Sequence, residues 1–398
     1  MWKSVWAAAL LICVTSAGFS QTADELNQQA MQHLVNGDIE EAVAGFEQAI
    51  AEDSTYVNAY INLGFIYYSN DRMADAIRLY AKSITIDPEN ARAHNNLGAA
   101  YIAVGRVNEA ILEYKLAIKL DENYPESHNN LAYAYYSLGL YERAVEEARK
   151  AIALKPDYAI AYNYSGISNN AQGKYDEAEA DLRKALEIEP NFVTAMNNLG
   201  TTLRFKEKHA ESLTAYQQAA QIDTSNVDTY NGLGITYLSM GKIDDAVEAF
   251  KRSLRISPQD PISHNNLSYC YYELLNYAMA MQHAKAAERY GLKISADYMT
   301  SLTKALDPKY FRARQIVVKT ESEAQDVIQQ LKAGGSFPEL AVQKSIDAIT
   351  SRKGGDFGFF EKGDLSTEIE NVIVNLKIGD VSAVFKTAAG YHIFQRLN

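Results

Sequence analysis

The sequence predicts a mostly α chain, in which a solenoid of stacked helical hairpins is followed by a small α+β domain. Three observations predict it. The stretch Ala93-His94-Asn95-Asn96-Leu97-Gly98 recurs as Ser127-His128-Asn129-Asn130-Leu131-Ala132, as Ala195-Met196-Asn197-Asn198-Leu199-Gly200 and as Ser263-His264-Asn265-Asn266-Leu267-Ser268, always at whole multiples of 34 residues. A fixed period of this length marks stacked units, none of which can bury its apolar face alone. The period stops near residue 295, and beyond it short helical stretches mix with alternating strands.

Ahead of the repeats, residues 1–20 read as a secretory signal peptide: Lys3, an apolar run from Val5 to Val14, and small residues around Thr15-Ser16-Ala17 or Gly18-Phe19-Ser20 for cleavage. The run is short for a membrane span. Ile12 before Cys13 does not suit lipidation. The expectation is an exported chain, periplasmic or extracellular in a bacterium, with no membrane span after cleavage. Only Cys270 then remains, which excludes an intrachain disulfide and a CxxC site. Formal charge is −12, and residues 311–398 carry equal numbers of acidic and basic groups, so the acidic excess lies in the repeats. Such a surface repels phosphate backbones and argues against nucleic acid as a partner.

Eight units begin at residues 23, 57, 91, 125, 159, 193, 227 and 261 and fill residues 23–295. The eighth position is always small (Ala30, Gly64, Gly98, Ala132, Gly166, Gly200, Gly234, Ser268), which lets two helices approach closely, with Tyr and Phe filling the gaps. Gly37, Gly105, Gly139, Gly173 and Gly241 fall mid-unit, where a left-handed cap ends the first helix. Pro88, Pro156, Pro190 and Pro258 close units. The pattern resembles the tetratricopeptide repeat (TPR) family, and the resemblance implies a right-handed superhelix whose first helices line a groove. On that reading the groove carries Asn95, Asn129, Asn163, Asn197, Asn231 and Asn265 at the fifth position, and Asn62, Asn96, Asn130, Asn198 and Asn266 at the sixth. Carboxamides offer donor and acceptor alike, so they suit an extended polypeptide regardless of its sequence, or a polysaccharide. The alternative role is to bond neighbouring helices and hold the stacking angle. His94, His128 and His264 at the fourth position read as packing residues without carboxylate partners, and no metal is expected.

Residues 296–310 read as a capping helix, Ala296 to Leu306, ended by Asp307-Pro308, and a short linker; the absence of a Gly- or Ser-rich spacer should hold the next domain close to the array. Residues 311–398 then predict a strand at Arg314–Lys319, helices at Ser322–Ala333 and Phe337–Ser345, a turn and strand at Gly354–Phe360, a helix at Thr367–Leu376, and a hairpin of Val381–Phe385 with Tyr391–Arg396.

Three segments of this module, Gly354-Gly355-Asp356-Phe357-Gly358-Phe359-Phe360, Leu376-Lys377-Ile378-Gly379-Asp380-Val381-Ser382 and Gly390-Tyr391-His392-Ile393, resemble the parvulin-type (PpiC, rotamase) peptidyl-prolyl isomerases. The resemblance places the family's active site on Gln315, Asp347, Thr387 and His392, and its proline pocket on Phe357, Leu365 and Ile369. Gln315 stands where active members have His, and Ile369 removes an aromatic wall. Members that prefer phosphoproteins carry a basic loop after the first strand; here the loop is Thr320-Glu321-Ser322-Glu323. Such enzymes need no nucleophile, cofactor or metal.

Two function classes follow. One is an exported prolyl isomerase whose array binds extended or unfolded polypeptides in the manner of a chaperone. The other is a non-catalytic scaffold for an envelope or secretion complex, in which the degenerate module only binds. Asp347, Thr387 and His392 favour the first, Gln315 and Ile369 the second.

Overall fold

The computed structural model describes residues 21–398, so the expected signal peptide lies outside the described residues. The chain divides into two compact units, the first ending at Pro190 and the second spanning Asn191–Asn398.

The first unit consists of five helical hairpins. They are α1 (Ala23–Asn36) with α2 (Ile39–Glu52), α3 (Val57–Ser69) with α4 (Met73–Ile86), α5 (Ala91–Ala103) with α6 (Val107–Leu120), α7 (Pro125–Ser137) with α8 (Tyr141–Leu154), and α9 (Ala159–Ala171) with α10 (Tyr175–Ile188). The small eighth position and the second helix interlock. A Cβ on Gly64 would meet the Tyr80 ring at 2.7 Å, and one on Gly98 would meet the Tyr114 ring at 2.6 Å. Both rings are fully buried, so the missing side chain is what lets a tyrosine fill the seam. The mid-unit turn takes a left-handed residue, Gly37 at φ 87° and Gly105 at φ 76°. Asp71 takes the same conformation at φ 60°, as do Glu207 and Leu275 of the second unit, both at φ 59°, each at a cost of roughly 1–2 kcal/mol because a Cβ is present.

Fourth-position histidines gain partners that the sequence reading missed. His94 Nδ1 lies 2.6 Å from Glu113, and His128 Nδ1 lies 2.6 Å from Glu147. The carboxylates come from the second helix of the same hairpin, 19 residues on, a separation that inspection of the first helix alone does not reveal.

The second unit continues with α11 (Val193–Phe205) and α12 (His209–Ile222), α13 (Val227–Ser239) and α14 (Ile243–Ile256), α15 (Pro261–Glu273) and α16 (Tyr277–Arg289). Then α17 (Ala296–Leu306) packs Leu302 and Tyr298 against Tyr277, Ala280 and Ala284 of α16. The α+β module follows: β1 (Tyr310–Val318), α18 (Glu321–Lys332), α19 (Phe337–Lys344), the single turn α20 (Ala348–Ser351), β2 (Asp356–Glu361), α21 (Thr367–Val374), β3 (Phe385–Thr387) and β4 (Gly390–Arg396). Its sheet is antiparallel in the order β2-β1-β4-β3. The α20 turn was not expected. The closing hairpin is also shifted: Val381 makes only an isolated bridge to Gln395, and the paired residues are Phe385–Thr387 against Gly390–His392.

Alternation along the strands sorts the module into two cores. Ile316, Val318 and Ile393 face α18 and α19, while Phe311, Ala313, Phe394 and Phe385 face the cluster that includes Phe360 and Ile373 of α21. The module is tied to the last hairpin of the array. Tyr277 of α16, 4% exposed, donates its hydroxyl to the Leu397 carbonyl at 2.7 Å. Arg312 of β1 donates to the Tyr272 hydroxyl and is ion-paired with Asp356. These contacts account for the close attachment that the short linker implied.

Candidate functional site

Gln315 lies in the middle of β1, between β2 and β4, and the alternation places it on the same face as Ala313 and Phe311. His392 of β4 shares that face with Phe394. The two residues are diagonal neighbours, since Gln315 pairs with Phe394 and His392 with Val317. The connection after α19 crosses back to β1. Ile346 N donates to the Val317 carbonyl at 2.8 Å, and Val317 N donates to Ser345 Oγ at 3.1 Å. That crossing brings Asp347 over the strand, where it caps α20 by accepting from Ile349 N at 3.1 Å.

On the other side, Gly355 accepts from Gln315 N at 2.9 Å. A Cβ on Gly355 would stand 2.5 Å from the Gln315 carbonyl oxygen, and φ there is 85°. Glycine is therefore the residue that permits this approach.

These elements assemble a single hydrogen-bonded relay. Asp347 Oδ2 accepts from Gln315 Nε2 at 2.8 Å and from Thr350 Oγ1 at 2.6 Å. Gln315 Oε1 lies 3.3 Å from His392 Nδ1, and His392 Nε2 lies 2.7 Å from Thr387 Oγ1. Thr387 Oγ1 accepts in turn from Ala389 N at 3.0 Å. The carboxylate only accepts, so Gln315 must present its NH₂ to Asp347 and its oxygen to His392. His392 then carries its proton on Nδ1, and its Nε2 accepts from Thr387. Burial lowers the His392 pKa below the usual 6.5, against the opposing pull of the Asp347 charge. Burial would raise the Asp347 pKa, but hydrogen bonds from Thr350, Ile349 N and Gln315 outweigh it and hold the carboxyl below its ordinary 3.8. The relay is thus a carboxylate, a carboxamide, a neutral imidazole and a hydroxyl, polarised in one direction.

Phe357, Leu365 and Ile369 gather, partly buried, around Phe360, Phe394 and Ile373. Phe394, buried, stacks against His392 at 5.6 Å and 16°, and Phe357 lies 5.7 Å from the buried Phe360; position 369 contributes an isoleucine to the same cluster. Phe394, two residues past His392 on a strand, was legible from alternation; Thr350 was not, because the α20 turn was missed.

In the array the two Asn positions part company. At the fifth, Asn95, Asn129, Asn163 and Asn231 are buried. Asn231 accepts from Ser263 Oγ at 2.7 Å and donates to Asp260 at 3.0 Å; Asn197 accepts from Thr229 Oγ1 at 2.9 Å and donates to Asn226 at 3.3 Å; Asn95 accepts from Ser127 Oγ at 3.2 Å. These carboxamides join one hairpin to the next. The sequence expectation that they line an open groove is corrected for Asn95, Asn197 and Asn231, whose bonding capacity is used within the protein. Asn265 is half-buried. At the sixth position Asn62 is buried between Asn27 and Arg92, whereas Asn96, Asn130, Asn198 and Asn266 stay half-exposed. Large apolar side chains stand beside them in the first helices: Phe65 is 49%, Tyr133 36% and Tyr269 50% exposed.

Comparison with known proteins agrees with this anatomy. Residues 311–398 match the family model described as Rotamase, PPIC-type PPIASE domain. Tetratricopeptide repeat models match residues 35–71, 66–105 and 100–139, residues 125–158, residues 157–225 and 191–259, and residues 231–292. The chain is 33% identical over 132 residues to foldase protein PrsA 2 of Bacillus cereus, covering 29% of this chain and 46% of that one. It is 43% identical over 84 residues to foldase protein PrsA of Caldanaerobacter subterraneus, covering 21% and 28%. The chain thus spans less than half the length of these curated relatives. A tetratricopeptide repeat protein from Parabacteroides merdae shares the fold at a TM-score of 0.51 and 16% identity, covering 63% of this chain and 99% of that one. Among the described residues, no helix is long and apolar enough to cross a membrane. The chain is a tetratricopeptide-repeat array followed by a parvulin-type (PPIC, rotamase) domain.

Proposed function

We propose that the protein is an exported peptidyl-prolyl cis-trans isomerase whose repeats bind extended polypeptide. The observation that carries this reading is the continuous relay Asp347–Gln315–His392–Thr387 beside an apolar cluster containing Phe357, Leu365 and Ile369. Rotation about a prolyl bond faces a barrier of about 18–20 kcal/mol, imposed by amide resonance. A seat of low polarity favours the twisted amide, which has lost that resonance, and fixed hydrogen-bonding groups at its rim stabilise it without reorganising. In this role Asp347 anchors Gln315, Gln315 fixes the tautomer of His392, and Thr387 and His392 present the polar rim. Gln315 supplies both hydrogen bonds that hold the relay together, so the missing histidine does not interrupt it.

Within each unit of the array taken by itself, half-exposed asparagines beside exposed aromatics, Asn96 and Asn130 with Phe65 and Tyr133 in the first and Asn198 and Asn266 with Tyr269 in the second, provide amide pairing and apolar contact for a chain of no fixed sequence. The boundaries that go with this reading are a signal at residues 1–20, repeats at 23–295, a cap and linker at 296–310, and the isomerase module at 311–398.

The test is a protease-coupled prolyl isomerisation assay on residues 21–398, because the Tyr277–Leu397 bond makes the last hairpin part of the module's support. Acceleration that is lost in His392→Ala supports the isomerase. An inert protein that still captures an unfolded polypeptide would instead favour the binding scaffold.

A further inference from the structure

A cavity of about 360 Å³ lined by Ile349, Thr350, Lys353, Asp356, Phe357 and Gly358 adjoins the apolar cluster at Phe357. Two of these residues connect it to the site already described. Phe357 belongs to the apolar cluster and Thr350 bonds to Asp347, so a polypeptide whose proline sits on that cluster has its neighbouring residues at this cavity.

Ile349 is 79% exposed, and Arg352 and Lys353 beside it are also exposed. Among the described residues neither cation is part of an ion pair. The carboxylate that shares the cavity, Asp356, is already engaged by Arg312 Nε at 3.0 Å and by Gly358 N at 2.8 Å. Lys353 also borders the adjoining cavity, which contains Glu339. Two exposed cations outside any ion pair, next to an exposed isoleucine at a cavity mouth, offer apolar contact and positive charge side by side.

We infer that Ile349 and Lys353 form a subsite for the residue flanking the prolyl bond, and that Lys353 favours a carboxylate there. This rests on the isomerase reading above. The aliphatic stem of a glutamate packs on Ile349 while its carboxylate meets the ammonium group. The subsite lies after α19, on a different element from the acidic Glu321 and Glu323 that follow β1.

The test measures kcat/KM for cis-trans exchange by NMR with residues 21–398 and blocked tetrapeptides carrying Glu, Gln or Lys, in one series before proline and in another after it. The expected result is a preference for Glu over Gln of about three- to fivefold in one series, as suits a single solvent-accessible charge pair. Lys ranks last, and the differences collapse near 0.5 M salt, roughly where screening becomes short-ranged. Lys353→Gln levels the Glu and Gln peptides, and Lys353→Glu turns the preference toward Lys. Equal rates for the three peptides in both series overturn the inference, as does a Glu preference that survives in Lys353→Gln. Failure to accelerate any peptide overturns the isomerase reading itself and takes this subsite with it.

Discussion

Gln315 Oε1 faces His392 Nδ1 at 3.3 Å, and the same carboxamide gives its NH₂ to Asp347 at 2.8 Å. The carboxamide fixes the direction of the relay because its two ends are chemically different. A histidine in its place would reach the same partners with two ring nitrogens that exchange roles on tautomerisation. Gln315 cannot change roles, so His392 is held with Nε2 as acceptor.

This arrangement sets the pH dependence. His392 must be neutral to accept from Thr387, and burial lowers its folded-state pKa below 6.5. Isomerisation should therefore be flat from about pH 8 to 6.5 and decline only below that, as the folded-state imidazole takes up its proton. The stability term has the same sign. The unfolded chain protonates first, so the contribution is full above 6.5 and is lost as pH falls from there through the folded-state value. A kcat/KM profile with an acid midpoint above 6.5 would contradict the assignment.

Removing Asn231 and removing Asn130 should have different consequences. Asn231→Ala removes two bonds at the joint between hairpins, to Ser263 and to Asp260, which still hold each other, and should cost about 1–3 kcal/mol for the two together. Asn130 is half-exposed and gives a single bond across the joint, to Asn95 Oδ1 at 3.0 Å, so Asn130→Ala should cost less stability, about 1 kcal/mol, and in addition weaken capture of an unfolded polypeptide. Thermal melts beside a binding titration separate the two; equal losses of stability would contradict the division between fifth and sixth positions.

A second pH response belongs to the last hairpin. His283 Nδ1 meets His264 Nδ1 at 2.9 Å, and His264 Nε2 donates to the Pro258 carbonyl. Burial, with the nearby His264 and Lys251, brings the His283 pKa down from 6.5 to about 4. The unfolded chain takes the proton first, so this pair should lose stability as pH falls from 6.5 to about 4. In melts of wild type and His283→Gln across that range, the wild type should show the steeper decline; parallel curves would contradict it.

Legibility in the sequence followed the range of the interactions. The hairpins were legible because the constraint repeats: each small eighth position faces its own second helix, as Gly98 faces Tyr114. The histidine partners Glu113 and Glu147 were not, since they depend on how two helices face each other. Of the relay, His392 lay within one of the family's motifs, and Asp347 and Thr387 were placed by the resemblance. Its middle, a glutamine that looked like a loss, made sense only once Asp347 and His392 were found on either side of it. The fifth-position Asn residues showed the opposite failure: a pattern that reads as a ligand surface proved in several units to be the joint between hairpins.

Whether Gln315 carries the relay in place of a histidine is read from kcat/KM for prolyl isomerisation by residues 21–398 as wild type and as Gln315→Leu. Leucine keeps much of the volume and removes both hydrogen bonds. The wild type should show measurable activity and Gln315→Leu a fall of about 10²-fold, comparable to the loss of one preorganised donor. Equal activity in the two proteins would show that the relay takes no part in the reaction.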